Sequence, residues 1–436
     1  MIINFSIQNF GSIKDKQTLS FEATNSRNLE DFYIVEPIKG LRLLKLGLIY
    51  GANASGKTTV LEALYFFRSI VIKPAEIKTN KFDFYPFLFD KNTPNENTIF
   101  QIEFIQNKIK YSYEVELNRE AIIREELYFY NPNKANVFRR ITNIEKQHSE
   151  IIFGSKIKAD KVSEKTLEAN TLTNNTVLGG FLKTNIELFE LKEVSDWFKD
   201  FLKGLIKSDT RLDLIFAETI KDNEINKNTI INILRKADIH ISDIRTVENG
   251  EKFLEGFFSF IGESFSKMDI ENNISRNRDT FTLKKVFFEH TVNNLKYELP
   301  IESESQGTKR YYAFAGLLSL LIDNSIMYSI DELESSLHPD LFVHFLMTYL
   351  VNSKNSQLLA TTHNREILNN RDIFRNDVIW FTDKNDSNAT GLYSLADFDS
   401  KVVRDTSNVY NAYKIGKFGG VPHLGDYYLD TANEEK

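Results

Sequence analysis

The sequence contains no cysteine, which excludes disulfides, thiolate-bound metals and cysteine nucleophiles. It also lacks an excess of positive charge, since 61 acidic residues against 54 basic ones give a formal net charge of −7. A strongly basic nucleic-acid-binding protein is therefore not expected, although a local basic patch is compatible with this balance. The longest apolar run, residues 311–322, is too short to span a bilayer, and no secretory signal opens the chain. We expect a cytoplasmic protein without membrane contacts.

Aromatic residues are abundant, with 35 Phe and 18 Tyr, and 42% of all residues are hydrophobic. This composition is typical of a globular protein whose large core is packed with rings. A length of 436 residues predicts two or three structural units. Regular strand and helix patterns occupy 1–130 and 291–400, whereas 131–290 is rich in Lys and Asn with helical stretches such as 190–206 and 225–239. The remaining residues, 401–436, form a glycine-rich and aromatic tail of no predicted structure.

The segment GANASGKTT, residues 51–59, is the clearest motif of the chain. An apolar run at 41–51 predicts a buried strand before it, and apolar residues at helical spacing predict a helix over 58–72 after it. Strand, glycine loop and helix are the context in which a phosphate-binding loop works. Its backbone N–H groups would converge on the β- and γ-phosphates of ATP, with Lys57 bridging them and the Thr58 hydroxyl binding Mg²⁺. The predicted nucleotide contacts are Asn53, Ala54, Ser55, Gly56, Lys57, Thr58 and Thr59.

A phosphate loop that uses Mg²⁺ needs an acidic partner at the end of a neighbouring apolar strand. IMYSIDE supplies one, with Asp331 predicted to hold Mg²⁺, usually through water, and Glu332 predicted to act as general base on the attacking water. An apolar run that ends in Asp-Glu is also an ordinary boundary between a strand and a turn. The phosphate loop upstream favours the functional interpretation.

The long separation of these two motifs, 273 residues between Thr58 and Asp331, distinguishes this chain from compact phosphate-loop proteins. It resembles the ABC-type ATPases of the SMC and RecF group, AAA-family proteins in which one nucleotide-binding fold is split by a long insertion. The segment IQNFGSIKD at 7–15 is similar to their first hairpin. The resemblance implies an α/β fold: an ABC-ATPase head with a mixed sheet, an antiparallel β subdomain, and a mainly helical insertion at 131–290 for partner contact. Ranges 1–130 and 291–400 would form the two lobes of this head.

The resemblance implies further site residues. SESQGTKR at 303–310 resembles the signature loop, whose Ser305 and Gly307 would meet the γ-phosphate bound by a second copy, although a Ser helix cap is the alternative. His363 resembles the switch histidine that orients the attacking water, although a structural role is common for a lone His at a strand end. Residues 336–339 occupy the place of the dimer-contacting D-loop. Gln101 is the candidate for the Q-loop glutamine near the metal, or an exposed strand residue.

More narrowly, IDELESSLHPDL, ATTHN and KIGKFGGVP resemble bacterial ATPases of the overcoming-lysogenisation-defect (OLD) type and their relatives in anti-phage and abortive-infection operons. About 70 residues follow His363, and we expect no TOPRIM nuclease domain among them. The implied function is a slow, Mg²⁺-dependent ATPase that forms a homodimer around two ATPs, or a higher oligomer, and controls a separately encoded nuclease or toxin. A DNA-binding repair ATPase of the RecF or SMC type is the alternative, and a scaffold that barely hydrolyses ATP is a third.

Overall fold

The computed structural model describes most of the chain. The described residues are 1–146, 148–213, 216, 224–252, 282–369, 372–398 and 409–422. Within these ranges, no helix combines the length and apolar character that crossing a membrane requires.

The described strands form four sheets. In chain order they are β1 (Ile2–Gln8), β2 (Gln17–Ser20), β3 (Ile34–Ile38), β4 (Leu41–Leu44), β5 (Leu46–Gly51), β6 (Thr98–Gln106), β7 (Ile109–Leu117), β8 (Ile122–Tyr130), β9 (Lys134–Asn143), β10 (His148–Phe153), β11 (Leu202–Ile206), β12 (Asp243–Lys252), β13 (Thr282–Val292), β14 (Leu295–Pro300), β15 (Met327–Ile330), β16 (Gln357–Thr361), β17 (Ile379–Lys384) and β18 (Thr390–Ser394). The α-helices are α1 (Glu30–Tyr33), α2 (Lys57–Ile72), α3 (Lys161–Asn170), α4 (Val177–Phe181), α5 (Phe189–Asp196), α6 (Glu224–Lys236), α7 (Gln306–Asp323), α8 (Pro339–Asn352) and α9 (Val409–Lys414).

A six-stranded mixed sheet, in the order β11-β15-β16-β5-β17-β18, forms the centre of the fold. Its first five strands are parallel, and β18 runs antiparallel to β17. Every residue of β5, β15 and β16 is buried, as expected for parallel strands covered on both faces. Trp380 on β17 lies opposite Ile49 of β5. The carboxyl ends of these strands meet at one edge, where ligands bind in open α/β sheets.

A seven-stranded antiparallel sheet, in the order β10-β9-β8-β7-β6-β1-β2, forms a second layer. Its strands alternate between buried and more exposed positions, most regularly in β6 and β8, because one face packs on the core and the other meets water. Helix α2 lies against the buried face, where Phe67 stacks on Phe100 and Tyr113 at ring-centroid distances of 5.4 and 5.5 Å. The helix that follows the phosphate loop is therefore fixed to the second sheet by aromatic packing.

The predicted fold class, an α/β head with a mixed sheet and an antiparallel β subdomain, is confirmed by this topology. The predicted strands at 41–51 and 98–130 and the predicted helix at 58–72 are present within a residue or two, except that the first is split into β4 and β5. Lys45 separates them because β4 pairs with β3 and not with the central sheet.

The insertion predicted at 131–290 differs from expectation, because its described part contains strands that complete both sheets. Strands β9 and β10 continue the antiparallel sheet beyond β8, and β11 pairs in parallel with β15 at the edge of the central sheet. The stretch 190–206, predicted to be helical throughout, is helical to Phe201 and then becomes β11. Pairing with a distant strand overrides helical propensity there. Residues 253–281 of the insertion lie outside the described residues.

Two smaller features are a single π-helical turn and the described part of the tail. Trp197, in a single π-helical turn over Trp197–Phe201, stacks on Phe104 of β6 with ring centroids 3.9 Å apart. The tail, for which no structure was predicted, forms the short helix α9 and a glycine-rich turn up to residue 422. Its other parts, 401–408 and 423–436, lie outside the described residues.

Candidate nucleotide-binding site

The predicted phosphate loop joins β5 to α2, as its sequence context requires. Gly51 is the last residue of β5, and Gly56, with a φ of 105°, precedes the first residue of α2. A Cβ on Gly51 would lie 2.4 Å from the hydroxyls of both Ser55 and Thr382. A Cβ on Gly56 would lie 2.2 Å from Thr390 Oγ1. The turn therefore closes so tightly that both positions require glycine.

Lys57 lies inside this loop. Its Nζ donates hydrogen bonds to the carbonyl oxygens of Gly51 and Ala52, both at 3.0 Å. Burial lowers the pKa of Lys57, and the carboxylates of Asp331 and Glu332 act in the opposite direction. The ammonium group is thus held at the amino end of α2, where the helix dipole and free N–H groups also favour an anion.

Asp331 lies beside Thr58, so the structure brings the two halves of the predicted magnesium site together. Thr58 Oγ1 donates to the Asp331 carboxylate at 3.0 and 3.2 Å. Thr361 Oγ1, at the end of β16, donates to the same carboxylate at 2.5 Å. Hydroxyl and carboxylate oxygens are ligands that Mg²⁺ accepts, with its remaining positions filled by phosphate and water. Among the described residues no group of three or more His, Asp or Glu forms a metal cluster.

Glu332 follows in a turn that leaves its side chain exposed. Its φ is 51°, a left-handed conformation uncommon for a residue with a side chain. Thr361 Oγ1 stabilises this turn by accepting the Glu332 backbone N–H at 2.8 Å. The charge of the Glu332 carboxylate acts on Lys57 of the phosphate loop.

His363 lies two residues beyond β16, close to the same loop. Its backbone N–H donates to Glu334 Oε1. Loss of solvent around the ring lowers the pKa of His363, and the positive charge of Lys57 lowers it further. The neutral imidazole is favoured, and a neutral ring can accept a hydrogen bond as well as donate one.

The signature-like segment begins α7. Ser305 is the N-cap, its Oγ accepting the Thr308 backbone N–H at 3.0 Å, and its side chain is exposed. A Cβ on Gly307 would lie 3.5 Å from the carbonyl oxygen of Ser336. The signature-like turn and the D-loop-like segment are therefore neighbours on one surface. The helix-cap alternative for Ser305 is seen, and it is compatible with a second role for the exposed hydroxyl.

Gln101 lies apart from these groups. It is on β6, opposite Ser6 and Glu114, and its side-chain oxygen accepts a hydrogen bond from Lys16 at 2.9 Å. No hydrogen bond in the described part of the chain joins Gln101 to the phosphate loop. It is a half-buried residue in the middle of a strand.

The structure also adds residues that the sequence did not single out. Ser55 Oγ lies 2.6 Å from Thr382 Oγ1, and Ser12 Oγ lies 2.8 Å from Thr390 Oγ1 and 3.1 Å from Thr59 Oγ1. These hydroxyls fix the loop from the first hairpin and from β17 and β18. Ser12 lies in the segment IQNFGSIKD, which the sequence marks only by its similarity to the first hairpin of the SMC and RecF group. Thr382 and Thr390 belong to no motif of the sequence.

The glycine-rich turn of the tail is a second unexpected neighbour of the phosphate loop. A Cβ on Gly420 would lie 3.5 Å from Gly51 Cα. The Gly420 backbone N–H donates to Asp383 Oδ2 at 3.0 Å, and its carbonyl oxygen accepts from Tyr413 Oη at 2.9 Å. This turn covers the junction of β5 with the loop.

Comparison with solved structures finds similar chains among SMC heads. An Smc head bound to the C-winged helix domain of ScpA matches at 15% identity, 90% of this chain, 97% of that chain and a TM-score of 0.44. The SMC head domain from Thermotoga maritima matches at 11% identity, 90% and 98% coverage and a TM-score of 0.41. An Smc head domain with an extended coiled coil, bound to the C-terminal domain of ScpA and derived from Pyrococcus furiosus, matches at 13% identity. The match covers 96% of this chain and 98% of that chain, with a TM-score of 0.38.

Comparison with curated proteins finds no match. Residues 48–369 match the protein family described as "AAA domain, putative AbiEii toxin, Type IV TA system". This range begins in β5 and runs past His363, so it includes the phosphate loop, Asp331 and the segment between them. The chain belongs to this family of AAA domains.

Proposed function

We propose that this protein is a Mg²⁺-dependent ATPase that switches between an assembled and a relaxed state. The observation that carries this proposal is the contact of Thr58 with Asp331 at 3.0 Å, beside an ammonium group held in a glycine loop. Two segments far apart in the chain meet there, and a hydroxyl with a carboxylate is the pair that phosphate-loop enzymes use for Mg²⁺. Membership of the AAA family supports ATP as the nucleotide.

Each residue has one task in this scheme. Lys57 and the backbone N–H groups of residues 53–59 hold and neutralise the phosphates, while Thr58 and Asp331 hold Mg²⁺. Bound ATP supplies the phosphoryl group, and Mg²⁺ offsets its charge. Glu332 accepts the proton of the attacking water, and the neutral His363 ring orients that water.

The site is completed by a second copy of the chain. Ser305 caps the exposed N-terminus of α7, with its Oγ bonded to the Thr308 backbone N–H. A helix N-terminus favours the binding of an anion. In this proposal Ser305 and Gly307 of one copy contact the γ-phosphate held by the other copy. The pair has two-fold symmetry, so the same contact forms at both nucleotides. Hydrolysis removes the shared contacts and loosens the pair.

The proposed role of this switch is anti-phage defence through a separately encoded effector such as a nuclease or toxin. The family description, which names a toxin and a toxin–antitoxin system, supports this setting. The cytoplasm is the compartment where such a switch would work.

A DNA-binding repair ATPase is the alternative, and it would need the local basic patch that the overall charge leaves possible. The basic pair Arg139 and Arg140 does not form a cationic patch: Arg140 is fully buried beside Glu125, and Arg139 pairs with Glu126. The lysines at 156, 158 and 161 are exposed and remain candidates for phosphate contact.

ATP turnover by the unchanged protein and by Glu332→Gln tests the proposal. We expect Mg²⁺-dependent phosphate release by the unchanged protein and a loss of about 100-fold or more in the variant, which should still bind ATP. Absence of nucleotide binding by both proteins would remove the ATPase proposal, and equal turnover would remove Glu332 from the base role. Duplex binding that weakens steeply with salt would favour the repair alternative, whereas an adjacent toxin or nuclease gene would favour defence.

A further inference from the structure

A third carboxylate, Glu334, lies beside the two that the sequence identified. It follows Asp331 by three residues in a turn closed by two backbone hydrogen bonds, Ser335 to Glu332 at 2.9 Å and Leu337 to Glu334 at 2.9 Å. The backbone at the start of this turn is bonded to Thr361, at the end of β16. The turn is thus fixed to the strand that leads directly to His363.

The two oxygens of Glu334 have different surroundings. Oε1 accepts the backbone N–H of His363. Oε2 is buried and has no hydrogen-bond partner among the described residues. A buried carboxylate oxygen without a partner is costly, and such groups are retained where a position matters for function. Tyr50, directly before the phosphate loop, likewise has a buried hydroxyl with no partner in the described part of the chain.

The charge of Glu334 also acts at the site. Its carboxylate raises the pKa of His363 against the effects of desolvation and Lys57, and does so more strongly than Glu332 or Asp331. Yet the hydrogen bond that its carboxylate accepts comes from the main chain of His363, and not from a group that would touch the phosphates. Glu334 is therefore placed to hold the histidine and not to react.

We propose that Glu334 is a positioning residue whose carboxylate anchors the main chain at His363, so that the imidazole is presented to the γ-phosphate side of the phosphate loop. This inference rests on the proposed ATPase function. A backbone N–H held by a carboxylate is a strong, charge-assisted hydrogen bond. Without it, residues 362–364 lose the contact that fixes the histidine relative to the loop holding Asp331 and Glu332.

Two variants of Glu334 separate this role from general-base catalysis. The amide oxygen of Glu334→Gln can still accept the His363 N–H, whereas Glu334→Ala removes the acceptor. We expect kcat for ATP hydrolysis to fall about 10–100-fold in the Ala variant, with KM and ATP affinity within roughly threefold, and most of the activity to remain in the Gln variant. Glu120→Ala, which removes an exposed carboxylate from the turn between β7 and β8, is the control and should retain kcat within roughly twofold.

A double variant separates positioning from a general loss of structure. If Glu334 acts through His363, Glu334→Ala should cause little further loss of kcat in a His363→Ala background. Full additivity of the two losses would overturn the inference, as would equal losses in the Gln and Ala variants. Unchanged kcat in Glu334→Ala would do the same while leaving the ATPase proposal intact.

A measurement without turnover makes the inference independent of the ATPase proposal. The chain has seven histidines, so ¹⁵N-histidine labelling gives few amide signals, and His363→Gln identifies the one in question. We expect this amide proton far downfield in the unchanged protein and in Glu334→Gln, and shifted upfield in Glu334→Ala. The same position in all three proteins would show that the bond is absent and would overturn the inference even if ATP is never hydrolysed.

Discussion

At the scale of single residues, the site depends on side chains whose partners are distant in the sequence. Lys57 and Asp331 are recognisable because their motifs are local, but Thr361 and Glu334 act through partners about 30 residues away. Only the folded chain shows that Thr361 holds both Asp331 and the backbone of Glu332. Gln101 illustrates the reverse case. Its residue type and its place on a predicted strand suggested a position near the metal, but its side chain is hydrogen-bonded to Lys16.

Substitution of Gly51 by Ala should disrupt the phosphate loop. The added Cβ would lie 2.4 Å from two hydroxyls and 2.7 Å from the backbone carbonyl of Thr382, so strand and loop must move apart. We expect a loss of about 1–3 kcal/mol in the free energy of unfolding and weaker nucleotide binding. Gly391→Ala is the matched control because its Cβ would have no neighbour nearer than 3.9 Å, and it should change the free energy of unfolding by less than about 0.5 kcal/mol. Urea denaturation and titration with a fluorescent nucleotide provide both measurements; equal effects of the two variants would contradict this account.

At the scale of elements, the fold is predictable where a segment carries its own pattern. Strand β5, the phosphate loop and α2 are adjacent in sequence and were identified with nearly correct bounds. Strand β11 was not, because five residues after a helix take a strand conformation only by pairing with β15, more than 100 positions later in the chain. Pairing between distant segments is set by the whole chain and leaves no local periodicity.

A buried ion pair links the antiparallel sheet to α4. Glu125 and Arg140 are both fully buried, and the Glu125 carboxylate also accepts the Val177 backbone N–H at 2.9 Å, in the first turn of α4. Glu125→Leu would leave the Arg140 charge without its partner and should lower the free energy of unfolding by about 3–5 kcal/mol. The neighbouring pair of Arg139 with Glu126 is the control: the Arg139 side chain is exposed, so Arg139→Gln should cost less than about 1 kcal/mol. Similar losses in denaturation experiments on the two variants would refute this assignment.

Lys45 makes stability depend on pH at the junction of β4 and β5. Burial lowers the pKa of Lys45 to about 8, although its Nζ donates to the carbonyl oxygens of Leu350 and Ser353 at 2.6 and 2.9 Å. The unfolded chain keeps this proton to about pH 10.4. It therefore binds more protons than the folded chain between these values, and the free energy of unfolding should rise with pH over that window. Lys45→Met should remove this rise, and an identical pH dependence in both proteins would contradict the assignment.

At the scale of the whole molecule, the proposed switch requires two copies. With ATP and Mg²⁺, Glu332→Gln should double in mass by size exclusion with light scattering, and the additional change Ser305→Arg should keep it monomeric by blocking the shared surface. Thr18→Arg, on the antiparallel sheet, is the control for an added charge. A Glu332→Gln protein that stays monomeric with bound ATP, or a dimer indifferent to Ser305→Arg, would contradict the two-copy arrangement.

The two tryptophans of the chain divide between its layers, Trp197 stacked on β6 and Trp380 within β17 beside β5. Replacing either by Phe leaves a single tryptophan, which lies in or against one sheet only, and excitation at about 295 nm selects it over the tyrosines. Thermal unfolding of the central sheet and of the antiparallel sheet can then be followed separately by tryptophan fluorescence, with no dye attached. Whether ATP stiffens both layers or only the first is then a question for a pair of melting curves.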